Sequence, residues 1–223
     1  MSTKNIIFST IAIAFVVFIV WIGGSQKTPV LTTTETTATT TEIKPEIKAE
    51  TNSIKAITTA VVTTNKGVIT LELYGKESPK TVANFVTLAN KGFYNGTRFH
   101  RVIKGFMVQG GDPNSKDTSK QDSWGQGGPG YTIPDEFNSS AELYKVGYKR
   151  GVLAMANTSA PNSGGSQFFI MHQDYPLPPN YTIFGKVVSG IEVVDAIANV
   201  ETEGKGITDR PVQEMIVEKI EIK

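Results

Sequence analysis

From residue 60 onward the chain is cut into short β-branched and aromatic runs by glycine, asparagine and proline, and only two stretches carry helical spacing. Runs this short bury apolar surface only by pairing side by side, so the punctuation calls for an antiparallel sheet rolled into a barrel rather than a βαβ array. Strands are predicted at 60–64, 68–73, 98–103, 106–109, 151–156, 167–171, 181–187 and 212–222. Asn65-Lys66-Gly67 joins the first two, because Asn and Gly tolerate the positive φ of a hairpin turn. One helix starts with Ser78 as N-cap and Pro79 at its first position, carries Val82, Phe85, Val86 and Ala89 on one face, and ends near Asn90 before Gly92. A second covers 191–198, with Val194 and Ile197 facing inward.

The amino-terminal quarter has a different character. Residues 6–22 (IIFSTIAIAFVVFIVWI) are almost wholly apolar, and as a helix they fall in the roughly 17 to 25 residue range that crosses a hydrocarbon core. Residues 1–24 are therefore expected to be a membrane anchor or signal. An uncleaved helix is favoured over a removed signal because the apolar run is long, although Gly23-Gly24-Ser25 offers small residues for cleavage. Lys4 favours a cytoplasmic N-terminus, placing the rest outside the cytoplasm as a single-pass cell-membrane protein, or as a secreted one if the segment is cut. Residues 25–55 are rich in threonine with scattered Glu, Lys and Pro, too poor in large apolar groups to make a core, and read as an extended tether. Residues 56–223 remain as one folded domain.

Charge and composition remove several classes of function. A formal net charge of +1 gives no basic footprint for nucleic acid. The absence of cysteine rules out disulfides, thiolate metal sites and a cysteine nucleophile. Two histidines, with no recognisable spacing of carboxylates around them, make a poor metal site, and no metal or cofactor is expected. Gly164-Gly165-Ser166-Gln167-Phe168 lacks the last glycine of a serine nucleophile elbow. The glycines at 125–130 lack the Gly-Lys-Ser/Thr of a phosphate loop and read as a turn-rich rim.

The remaining chemistry lies in one stretch and its echoes. Phe93-Tyr94-Asn95-Gly96-Thr97-Arg98-Phe99-His100-Arg101-Val102-Ile103 followed by Gly105-Phe106-Met107-Val108-Gln109-Gly110-Gly111-Asp112 resembles the signature of the cyclophilin family of peptidyl-prolyl isomerases. Gly127-Gly128-Pro129-Gly130-Tyr131, Asp135-Glu136-Phe137, the run from Gly151 to Asn157, Gly165-Ser166-Gln167-Phe168-Phe169-Ile170 and Phe184-Gly185-Lys186-Val187 follow in the family's order. The resemblance covers nearly everything after the tether. It implies a mainly β fold, a closed eight-stranded antiparallel barrel capped by two α-helices. It also implies that Arg101 is the catalytic arginine, Gln109 its polar companion, and Phe106, Met107 and Phe169 the walls of a proline pocket. By the same resemblance Ala156 and Asn157 form a backbone edge for the peptide, and Gln167 is a polar groove residue. Leu177 stands where many members carry a tryptophan, and Tyr181 where many carry a histidine. Cyclosporin uses that indole, so its binding is expected to be weak.

The chemistry of these residue types agrees with the implied activity. Rotation about an X-Pro amide meets a barrier of about 18 to 20 kcal/mol from resonance, and no bond need break. In the twisted state nitrogen regains its lone pair and the carbonyl loses part of its dipole, so a donor aimed at nitrogen and an apolar surround both favour that state. Arg101 is a permanently charged donor, and Phe106, Met107 and Phe169 supply the dry seat. A charge-assisted hydrogen bond contributes about 1.5 to 3 kcal/mol, against about 7 kcal/mol for five decades of rate, so seating and water exclusion must supply the rest.

The partners expected are proline-containing polypeptides met by a monomer, with the membrane engaged through the N-terminal helix. The alternative is a Pro-peptide-binding chaperone whose isomerase activity is incidental; its suppression of aggregation would survive loss of Arg101. Arg101 could also be an ordinary surface ion-pair partner. His100 is read as a hydrogen-bonded structural histidine and His172 as a strand-end residue without a role. Asn157-Thr158-Ser159 would be a glycosylation acceptor within the groove, where a glycan would obstruct substrate; this favours a prokaryotic surface or periplasm.

Overall fold

The computed structural model describes residues 58–204 and 209–223. The expected anchor at 1–24 and tether at 25–55 lie outside the described residues. Among the described residues no helix is long and apolar enough to cross a membrane.

Among the described residues nine strands form one sheet: β1 (Thr58–Thr64), β2 (Gly67–Leu73), β3 (Thr97–Arg98), β4 (Arg101–Ile103), β5 (Met107–Gly110), β6 (Val152–Met155), β7 (Phe168–Met171), β8 (Ile183–Ser189) and β9 (Ile216–Ile222). Their order is β3-β9-β1-β2-β8-β6-β7-β5-β4, antiparallel throughout. The predicted hairpin pairs Thr64 with Gly67 and Thr58 with Leu73.

The closed eight-stranded barrel is corrected to a nine-stranded sheet curled on itself and open between β3 and β4. The reason lies in two residues. Phe99 and His100, both buried, lie outside any strand, and at Phe99 the chain leaves the β9 ladder without yet entering that of β5. The single predicted strand at 98–103 therefore breaks there into β3, which pairs with β9, and β4, which pairs with β5. The chain itself crosses the gap, with the Phe99 amide donating to Met215 O and the Val102 amide to Asp209 O.

Three α-helices are present among the described residues: α1 (Pro79–Asn90), α2 (Glu142–Val146) and α3 (Ile191–Ala198). The short α2 is an addition to the two predicted. Ser78 does precede α1, but its hydroxyl donates to Ile183 O instead of capping. The first-turn amides are held from a distance. Glu136 accepts from the Lys80 and Thr81 amides and from the Thr81 hydroxyl, placing a carboxylate at the positive end of the helix. α1 buries Val82, Phe85, Leu88 and Ala89 in the core while Val86 stays half-buried, and α3 buries Val194 and Ile197.

Side-chain alternation divides the sheet between two apolar clusters. The ladder Val102↔Val108↔Ile170↔Leu153 points into the main core with Phe85, Phe168 and Phe184. The residues one position away, Met107, Phe169, Met171 and Ala154, point to the other face and make a second, smaller cluster with Ile183 and Tyr148.

Candidate active site

The second cluster is where the predicted site residues meet. In strand register Arg101 on β4 lies opposite Gln109 on β5, Gln109 opposite Phe169 on β7, and Phe169 opposite Ala154 on β6. Directly opposed residues of antiparallel strands share a face, so the arginine, the amide and the aromatic ring form one row. Ile103, Met107 and Met171 form the next row on that face. Met107 and Phe169 are almost fully covered and serve as the floor, while Phe106, Ala156, Leu177 and Tyr181 are half-buried around them. The Tyr181 ring meets Phe169 edge-on at 5.4 Å, and Tyr175 stacks on Phe106 at 4.4 Å.

A polar chain runs beside this apolar floor. Arg101 Nη1 donates to Gln109 Oε1 over a long 3.4 Å, Gln109 Nε2 donates to Gln167 Oε1 at 2.9 Å, and Gln167 Nε2 donates to the carbonyls of Gly125 and Gly127. Arg101 Nε also stands 3.7 Å from Asp209 Oδ2, so the ordinary ion-pair reading is present in a loose form; the arginine side chain remains 43% exposed. A recess of about 470 Å³ opens beside Gln109 and Gln167, between the glycine-rich rim and the backbone at Ala156 and Asn157. Asn157 donates from its side chain to Asn180 O, which ties its loop to the segment bearing Tyr181.

Three residues that hold this arrangement have roles that the sequence alone does not reveal. Asp112, fully buried, accepts from the Asn114 and Gly125 amides and so sets the glycine rim on which Gln167 rests. Tyr148 both donates to Tyr181 O and accepts from the Tyr181 amide; burial pushes its phenol well above the usual range. Gly111 follows the Gln109 strand at φ +85, and a side chain there would strike Ser166 O. Asp112 and Gly111 lie inside the quoted motif, but their roles depend on partners 13 and 55 residues away.

His100 is buried, but the hydrogen bonds expected of it are not made, since its two ring nitrogens lack a partner in the described structure. Burial lowers its pKa against the opposing pull of Asp112, and burial likewise lowers that of His172 against Asp195. A histidine depressed below its unfolded value of about 6.5 binds fewer protons folded than unfolded, so stability rises with pH through that window. The contribution is complete above about pH 7.5 and is lost as pH falls from 6.5 toward the folded values. Urea denaturation at pH 7.5 and 5.5 should give a lower midpoint at 5.5; an equal or higher one would contradict this assignment.

Comparisons with known proteins agree with the geometry. The model of the cyclophilin type peptidyl-prolyl cis-trans isomerase/CLD family matches residues 59–222. Peptidyl-prolyl cis-trans isomerase A of Mycobacterium tuberculosis is 42% identical over 190 residues, covering 77% of this chain and 96% of its own length. Mouse peptidyl-prolyl cis-trans isomerase-like 1 is 42% identical over 160 residues, covering 70% and 87%. A crystal structure of a Cryptosporidium parvum cyclophilin type isomerase, in the presence of the dipeptide Ala-Pro, aligns with TM-score 0.63 at 34% identity over 74% of this chain and 98% of that one. With the family's pattern spanning the folded part and its relatives matched almost end to end, the chain belongs to the cyclophilin-type peptidyl-prolyl cis-trans isomerases.

Proposed function

We propose that this isomerase turns X-Pro bonds in exported or unfolded polypeptides on the outer face of β4, β5, β7 and β6. Arg101 donates to the prolyl nitrogen as the amide twists, and Gln109 holds the guanidinium and the peptide in place. Phe106, Met107 and Phe169 seat the pyrrolidine ring. Ala156, Asn157 and Gln167 bind the peptide backbone, with Leu177 and Tyr181 forming the far wall. The observation that carries this reading is the row Arg101–Gln109–Phe169 on one face of three neighbouring strands. It sets a fixed cation at the edge of an apolar floor, where a less polar twisted amide is favoured over a planar one. The Ala-Pro dipeptide present with the Cryptosporidium protein supports a prolyl ligand.

A guanidinium keeps its proton throughout the working range, so the isomerisation rate, followed by NMR exchange on a Pro peptide, is expected to stay level from about pH 6.5 to 9. A rate still rising between about pH 6.5 and 9 before it levels would instead assign the chemistry to a base. Weak cyclosporin inhibition belongs to the same proposal, because Leu177 offers no indole.

The site of action is proposed from the apolar run at 6–22 and the threonine-rich 25–55. A helix there, left uncut, would tether the domain to a prokaryotic cell membrane on its outer side. Membrane fractionation with sequencing of the mature N-terminus tests this. Recovery of the intact chain from the membrane is expected, and a soluble protein starting near Ser25 would replace the anchor with a signal.

A further inference from the structure

The turn that carries Phe106 is fastened by a histidine that the isomerase chemistry does not use. β4 and β5 are joined by Lys104, Gly105 and Phe106, with Gly105 at φ +83 and the Phe106 amide closing the turn on Ile103 O. The Gly105 amide donates to Nδ1 of His172 at 2.9 Å, and the His172 backbone amide donates to Phe106 O at 2.8 Å. His172 lies just beyond β7, buried, so both ends of its residue grip the turn. An Nδ1 that accepts carries no hydrogen, which puts the ring proton on Nε2, 3.3 Å from Asp195 Oδ1 on α3. Asp195 is itself held by both terminal nitrogens of Arg150, whose Nη1 also donates to His172 O.

We infer that His172 is a positioning residue for the isomerase: its neutral imidazole holds the Lys104–Phe106 turn, and protonation at Nδ1 releases it and loosens the Phe106 wall. This rests on the proposed role of Phe106 in the proline seat. An imidazolium has a hydrogen on both nitrogens, so its Nδ1–H would face the Gly105 N–H and the bond would become a repulsion. The charges facing the ring divide. Asp195 favours the cation, while Arg150 beside it and Lys104 in the turn oppose it, and burial opposes it more than any of them. Asp174, paired with Lys149, accepts from the Arg150 backbone amide. The switch therefore acts on the acid side of the ordinary imidazole range and leaves neutral pH untouched.

The test uses the full-length chain and NMR exchange on a Pro peptide, with pH lowered until the His172 imidazole signals report protonation. In the parent, kcat/KM should fall about fivefold or more as that proton binds, since a misplaced wall costs rate steeply. His172→Asn places an oxygen where Nδ1 stood, accepts from Gly105 and does not titrate. It should stay within about twofold of the parent at neutral pH and lose the acid limb. His172→Leu should run about fivefold below the parent at neutral pH, with the loss carried mainly by KM, and should meet the parent's rate once His172 is charged. A parent whose rate is unchanged once His172 is charged, an acid limb that persists in His172→Asn, or a His172→Leu variant at the parental rate at neutral pH would each overturn the inference. Phe106→Ala separates the two readings. If it leaves the rate intact, the proline seat itself is wrong; if it slows the rate and His172→Leu does not, only the role of His172 fails.

Discussion

Replacing Arg101 with alanine is expected to lower kcat/KM for a Pro peptide by about 10- to 100-fold, the rate equivalent of one charge-assisted hydrogen bond made in the twisted state. Stability should change by no more than about 0.5 kcal/mol, because the side chain is 43% exposed and its contact with Asp209 is long. Lysine at the same position keeps the charge but loses the planar fork, so Arg101→Lys should recover only a small part of the rate. The measurement is cis-trans exchange on one peptide for all three proteins. Undiminished exchange in the alanine variant would remove the guanidinium from the mechanism and leave the apolar seat to account for the whole effect. Complete loss is not expected, since Gln109, Gln167 and the floor remain to hold the peptide near its twisted geometry.

The second large effect separates two adjacent phenylalanines. Phe168 is fully buried and meets Phe85, Tyr94 and Phe99 edge-on at 5.6 to 6.3 Å. Truncating it leaves a closed void among rings, and Phe168→Ala should cost about 3 to 5 kcal/mol, a large part of a typical domain's 5 to 15. Phe169, one residue on, lies in the outer cluster against Tyr181 at the groove. The gap left by Phe169→Ala opens toward the groove, where water and neighbouring side chains can enter, so the stability loss should be nearer 1 to 2 kcal/mol while KM for the peptide rises about tenfold. Thermal denaturation and peptide exchange on both variants check the contrast. If Phe169→Ala destabilises as much as Phe168→Ala without affecting KM, the outer cluster is core and not a ligand seat.

That contrast also marks what could be read before any fold was seen. Phe168-Phe169 is legible as a buried strand, and the family motif around it points to Phe169, but nothing in a run of consecutive apolar residues says which ring faces which cluster. The ladder with Gly110 and Met155 on one side of the alternation, and with Gln109 and Ala154 on the other, decides it. The same is true of His172. As a sequence position it is a strand-end residue without a role; Gly105, 67 residues earlier, gives it one. Ser78 stands at the N-cap position as expected, so local spacing identifies the helix start, but the group that accepts from the first-turn amides is Glu136, 55 and 56 residues away.

The linear order of residues determined every strand but the divided one at 98–103, two of the helices, the hairpin at Asn65-Lys66-Gly67 and the motif that gathers Arg101, Gln109, Phe106 and Met107, because each depends on spacing within a few residues and on backbone preferences that neighbours share. Tertiary structure alone decided that the sheet opens at Phe99-His100, that a third helix covers the outer cluster, and that Asp112, Tyr148, Glu136 and His172 support the groove. Those features are fixed by hydrogen bonds and packing between segments tens of residues apart. Strand register selects such partners, and register is settled only when every face has found what it can bury against.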